Sequence, residues 1–248
     1  MAILEAFEQH VQSVHKLMNF DREVLSHAID AIEILQQRLT QHHKIDNPHL
    51  TAERTLQILR NYRQHDSLRH TYKTIFNQAV VLLVSYFGAA VHDVFREGVS
   101  AALASDRDSP LLREQLKLSF AELREANFDL RKSAPDLLVN AKDISFQDMK
   151  SIARAFKDNL GIEIEKTPLV NDIILAQACR HVIVHAGSVA KNELVKKLSG
   201  AYPRTLKQEI ALNEIVQFTT EEVTCASIAM IEYLRDLEVQ VRNITNAA

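Results

Sequence analysis

The sequence predicts an all-α protein: an antiparallel helical bundle with an N-terminal helical extension. Three observations predict it. Five Gly and five Pro in 248 residues leave few of the turn formers that hairpins and sheets consume. Apolar residues recur at intervals of three and four over long stretches, which marks one buried helix face. An apolar fraction of 46% beside 25% charged residues supplies core for a large domain and argues against a disordered chain.

Ile3, Phe7, Val11, Val14 and Met18, then Val24, Ala28, Ile32 and Leu35, carry helical spacing across residues 2–44. Asp21 can cap a second helix, so the stretch reads as two helices or one with a kink. His42, His43, Asp46, Asn47 and Pro48 mark a loop over 41–50. Thr51 and Arg54 open a helix through Leu56, Leu59 and Tyr62. A soft boundary near residue 70 divides the helical extension, 1–70, from the core bundle, 71–248.

From Tyr72 to Leu103 the pattern is strongly apolar, ending at Ser105 to Pro110. Thr74 to Val91 carries no charge, but Asn77, Gln78, Ser85 and Gly88 interrupt it and its length barely spans a bilayer. A fully buried central helix is expected there, with no membrane association. Glu5, Glu8 and Gln9 argue against a signal peptide. Cys179 and Cys225 sit in apolar helical context without metal-ligand spacing, as buried free thiols of a reducing compartment do. A cytoplasmic protein is expected.

Ser109-Pro110 starts a helix through Leu112, Leu116, Phe120 and Leu123, with Pro in its first turn. Residues 131–144, with Pro135 and Asn140, read as a connection. Ser145 with Asp148 resembles a capping box for a helix stopping at Asn159 to Gly161. Thr167-Pro168 opens the next helix, which ends at Ala186-Gly187. A basic stretch from Lys191 to Lys207 follows, holding Gly200 and Pro203. A last helix is expected over 213–243, with Ile215, Phe218, Val223, Ile228, Ile231, Leu234, Leu237 and Val241 on its apolar side.

The chemistry concentrates at Arg180-His181-Val182-Ile183-Val184-His185-Ala186-Gly187. The segment closes an apolar helix, and Gly187 can supply the left-handed terminating position. His181 and His185 share a helix face, whereas Arg180 and His185 stand about 140° apart at about 100° per residue. An imidazole titrating near neutrality can take a proton from a ribose 2′-OH or return one to a leaving 5′-oxygen. A guanidinium offers a fixed fork of donors to the phosphate. Such a set suits RNA cleavage without a metal. Spacing alone is not the signal. Arg22/His27, Arg38/His43, Arg60/His65 and Arg63/His70 have comparable separations, but in polar surroundings and without a terminating Gly.

The Arg180–Gly187 segment resembles the signature of HEPN domains (higher eukaryotes and prokaryotes nucleotide-binding), in which an Arg, a polar residue and three others precede a His. Val80 to Glu97, with Ser85-Tyr86-Phe87 and Asp93-Val94-Phe95-Arg96-Glu97, is similar to that family's earlier long helix. The 145–160 segment and the final helix suit the pattern, so the resemblance covers about residues 72–245. It implies a homodimer that joins two Arg/His motifs in one cleft. It further implies metal-independent endoribonuclease activity, in toxin–antitoxin or antiviral defence settings, with an antitoxin or other regulatory protein as partner. On that resemblance Arg180 and His185 are the catalytic pair and His181 a substrate contact. Where some members carry a modified Tyr this chain has Gly187, so that regulation is not expected. His92 stands near where an acidic residue on the earlier helix would be sought.

The net charge of −3 offers no global footprint for a polyanion, so RNA must meet a local patch. Lys191, with Lys196, Lys197, Arg204 and Lys207, follows the motif directly and is a candidate guide for the RNA backbone. His42, His43, His65 and His70 read as solvated surface. His181 and His185 have the separation of a metal-binding pair, but no Glu follows in metalloprotease order. Neither a Gly-rich phosphate loop nor a Ser/His/Asp arrangement is present, and no metal or cofactor is expected. The competing class is a non-catalytic helical interaction or regulatory protein that docks through its first seventy residues.

Overall fold

A computed structural model describes residues 2–42, 49–64, 73–105, 109–125 and 127–246. Among the described residues the chain is all-α. In order come α1 (Ala2–His42), α2 (His49–Gln64), α3 (Lys73–Ala104), α4 (Phe120–Glu125), α5 (Leu130–Ala141), α6 (Met149–Leu160), α7 (Pro168–His185), α8 (Asn192–Leu198) and α9 (Thr220–Asn246). A 3-10 turn at Pro110–Arg113 precedes α4. Most of the expected loop at 41–50, the boundary near residue 70, and His43, His65 and His70 lie outside the described residues.

The core is assembled around α3. Its aromatic residues join different neighbours. Phe87 meets Phe7 of α1 and Tyr233 of α9, with ring centroids 6.1 and 5.6 Å apart. Phe95 meets Phe146 and Phe156 of α6, each at 5.4 Å. α3 is long and apolar enough to cross a membrane, yet half of its most apolar window is buried against neighbouring helices. The expectation of full burial is therefore corrected. Gln78, Ser85, Ala89, Asp93, Glu97 and Ser100 form a narrow exposed stripe along one side, at the i, i+4, i+7 intervals of an amphipathic helix.

Side-chain pairs set the directions of the helices. Leu4 N donates to Glu238 Oε1 at 3.0 Å, Arg235 pairs with Glu8 at 3.3 Å, and His15 meets Ser227 at 3.2 Å, so α1 runs antiparallel to α9. Asn77 brackets the entry to α9 through Val216 O and Phe218 N. Further along, Phe87 meets Tyr233 and Gly98 meets Val241, so α3 and α9 run parallel. Phe7, Val11, Val14 and Met18 of α1 belong to the same buried cluster as α3 and α9. Beyond them α1 packs on α2, where Ile29 and Leu56 are buried.

Of the two readings of the first stretch, the one-helix reading holds, with Asp21 inside α1. Several other local expectations are corrected. The helix expected from Ser109 stops after one 3-10 turn, because Glu114 turns extended and a new capping box starts α4. In that box Ser119 and Glu122 bond each other's backbone N–H at 3.2 and 2.7 Å. Residues 130–141 are a helix despite Pro135, since Leu137 and Leu138 bury on the side facing α3 and outweigh the lost hydrogen bond. The cap of α6 is Asp148, accepting from Ser151 N at 2.9 Å, while Ser145 bonds only Gln147 N. α9 begins seven residues later than expected, at a Thr219/Glu222 capping box. Cys225 is exposed, unlike Cys179.

Two stability effects follow from this packing. A Cβ on Gly98 would lie 2.7 Å from Leu160 Cδ1 and 3.3 Å from Val241 Cγ1. Gly98→Val is expected to destabilise by about 1–3 kcal/mol through overpacking, read as an earlier urea midpoint. The Tyr233 hydroxyl is buried without a hydrogen-bond partner, and burial pushes its pKa well up. Tyr233→Phe removes that hydroxyl and keeps the ring, so it is expected to leave stability unchanged or raise it by about 1 kcal/mol. A clear loss in urea unfolding would contradict the packing described.

Candidate functional site

The residues singled out by sequence lie at the C-terminal end of α7. Thr167 Oγ1 accepts from Val170 N at 3.2 Å and Pro168 occupies the first turn, as expected of a helix start. α7 is anchored along its length by polar side chains. Asn171 donates to Pro203 O at 2.8 Å, and Asp172 accepts from Thr205 N and Leu206 N at 3.0 and 2.9 Å and from the Thr205 hydroxyl. Gln177 Oε1 accepts from Met149 N at 2.9 Å, tying α7 to the start of α6.

The helix ends where Gly187 was expected to end it, with φ +60°. The chain leaving it is clamped by residues 213–216. Ala190 exchanges two bonds with this segment, Ala190 N donating to Glu214 O and Asn213 N to Ala190 O, both at 2.8 Å, and Val216 N donates to Ser188 O at 2.7 Å. Both sides of the helix terminus are thus held.

Beside it lies a groove of about 560 Å³, whose lining includes His181, His185, Lys191, Glu193, Lys197 and Asn213. Both imidazoles are exposed, with ring centroids 4.9 Å apart and planes inclined by 52°. Neither has a hydrogen-bond partner among the described residues. The structure therefore brings together His181, His185 and Lys191. It does not bring Arg180 to them. Arg180 is half-buried on an adjacent face of α7 and is not part of the groove lining. Its buried Nε has no hydrogen-bond partner. Within a single chain Arg180 and His185 therefore do not line one groove, in keeping with their wide separation around the helix.

The basic stretch divides into two groups. Arg204 is 6% exposed and is spent on its own loop. It donates to Lys207 O, Leu198 O, Ala201 O, Gln208 O and the Tyr202 hydroxyl at 2.9–3.3 Å, and its guanidinium lies 4.2 Å from the Tyr202 ring centroid. Lys207 pairs with Glu222 at 3.1 Å and lies over Phe218. Lys191, Lys196 and Lys197 remain exposed, and of these Lys191 and Lys197 line the groove. Sequence reasoning named Lys197 only as one of the basic stretch and gave Glu193 no place in the site. Their i, i+4 spacing would have placed them on one face, had α8 been recognised as a helix.

Cys179 precedes the motif, but burial pushes its thiol up to about 12, which removes it as a nucleophile near neutral pH. His92 of α3 packs on Phe146 at 5.0 Å, with its Nε2 buried and without a partner. Among the described residues no group of three or more His, Cys, Asp or Glu is placed to hold a metal ion.

The fold and this groove define an all-α protein with an imidazole- and lysine-lined cleft at a helix terminus. No family model matches the chain, and neither a curated protein nor a solved structure matches it.

Proposed function

We propose that this chain is a HEPN-like, metal-independent endoribonuclease of the cytoplasm, acting in a toxin or antiviral defence setting through Arg180 and His185. In this reading His185 transfers the proton between the ribose 2′-OH and the leaving 5′-oxygen, and Arg180 holds the scissile phosphate. His181 and Lys191 contact the substrate backbone. The attacking 2′-oxygen displaces the 5′-oxygen and leaves a 2′,3′-cyclic phosphate.

One observation carries the proposal. A guanidinium and two imidazoles are held at one helix terminus, beside a groove, without carboxylate or carbonyl partners among the described residues. A buried guanidinium nitrogen left unbonded is costly, which favours a ligand or partner that satisfies it. Because Arg180 and His185 face different sides of α7, the reading needs a homodimer in which the Arg of one subunit serves the His of the other. The test is incubation of purified protein with mixed RNA in EDTA. Cleavage giving 2′,3′-cyclic phosphate ends supports the proposal; intact RNA at every protein concentration overturns it.

A second reading has its own support. Leu17, Phe20, Val24, Ile34, Leu35 and Leu39 of α1 are exposed and recur along one side of the helix. A non-catalytic helical interaction or regulatory protein would use such a stripe for docking. Inert RNA incubations would favour it.

A further inference from the structure

We propose that His181 and His185 form a two-imidazole chelate for a late first-row transition-metal ion, of the Cu²⁺, Ni²⁺ or Zn²⁺ class, in the groove at the end of α7. Side chains four apart on a helix stand one above the other, and here the two rings lie with centroids 4.9 Å apart. Metal–imidazole bonds of about 2.0–2.1 Å place two adjacent ligand nitrogens about 3 Å apart. Small rotations about the side-chain bonds bring the ring nitrogens of such a pair to that separation. No hydrogen bond to a described residue has to be broken first.

The helix beneath is rigid, because Ala178, Cys179 and Val182 are buried on either side of His181. The ion therefore meets two imidazoles whose backbone positions are already fixed. Imidazole nitrogen selects Cu, Ni and Zn over Mg and Ca, which prefer oxygen. Lys191 and Lys197 in the same groove add positive charge that hard cations cannot offset with strong bonds to nitrogen, and Glu193 is the single carboxylate of the lining.

With no third protein ligand among the described residues, water fills the remaining positions. A site of that kind exchanges its ion and is neither a structural nor a catalytic centre, which use four and three protein ligands. An ion there covers both imidazoles. On the ribonuclease reading it would therefore block cleavage, which makes the site an inhibitory one.

The test separates binding from activity. Metal-stripped full-length protein, freed of EDTA, is titrated with CuCl₂, NiCl₂ and MgCl₂ by calorimetry, alongside His181→Ala and His185→Ala. Wild type is expected to bind one more equivalent of Cu²⁺ and Ni²⁺ than either variant, with Cu²⁺ tighter than Ni²⁺, and Mg²⁺ is expected to bind none at this site. Electron paramagnetic resonance is expected to show a Cu²⁺ signal with two nitrogen ligands in wild type, and that signal is expected to be missing in each variant. Both substitutions are at exposed positions, and unchanged circular dichroism verifies folding. Equal numbers of bound ions in wild type and both variants would overturn the chelate. RNA left intact by metal-free wild type, with the extra equivalent still bound, removes the ribonuclease reading and leaves the chelate standing.

Discussion

His185→Ala is expected to lower the single-turnover rate of RNA cleavage in EDTA by about 10²–10⁴-fold, the usual worth of a general acid–base. Arg180→Ala is expected to cost about 10²–10³-fold, as loss of a positioned donor to developing charge does. Arg180→Lys should recover little, because an ammonium cannot present the planar fork of a guanidinium. His185 is exposed and Arg180 half-buried without a partner for its Nε, so neither truncation should unfold the chain. Thermal melting close to wild type would verify that the losses are chemical.

Mixing the two inactive variants adds a test of geometry. If the Arg of one subunit serves the His of the other, a mixed dimer keeps one complete set, and subunit exchange restores part of the activity. Wild type, Arg180→Ala and His185→Ala cleaving at the same rate would end the enzymatic reading. Activity lost in both variants and never restored by mixing would overturn the shared site that the reading needs.

Arg204→Ala is expected to be the most destabilising single change in the 199–219 loop, by about 3 kcal/mol or more. The side chain carries five hydrogen bonds, four of them to carbonyls. Bonds to a charged donor contribute about 1.5–3 kcal/mol each, without simple additivity. Truncation would also take a donor from the Leu198, Ala201 and Lys207 carbonyls, while Gln208 O would keep the Tyr202 hydroxyl at 2.8 Å. Against a total stability of about 5–15 kcal/mol the loss is large, and it should appear as an earlier urea midpoint. Lys197→Ala, a few residues away and exposed, should stay within about 0.5 kcal/mol of wild type. Equal stability of both variants would mean that the loop is held by its apolar residues, Ala201 and Leu206, instead of by Arg204.

Arg204 and Lys197 also show where reading a sequence runs out. Both belong to one basic stretch, and composition treats them alike. One is the centre of a loop and the other lines a groove. The difference arises from Asp172 and Asn171, which hold residues 203–206 against α7 across more than thirty positions of chain. α5 teaches the same lesson in reverse. Pro135 spoke locally for a connection, and only burial of Leu137 and Leu138 on the side facing α3 made a helix there.

By itself the sequence determined the helical class, the start of α7 at Thr167-Pro168, its stop at Gly187, and the shared face of His181 and His185. All of these are written in spacings of one to four residues, where caps, backbone dihedral limits and the helical repeat act. Only the tertiary structure decided that α1 runs antiparallel to α9, that α3 runs parallel to it, and that residues 213–216 close over the end of α7. It alone also placed Arg180 off the groove that His185 lines. A helix repeat gives the angle between two side chains but not which of them faces outward, and that choice follows from packing between segments distant in sequence.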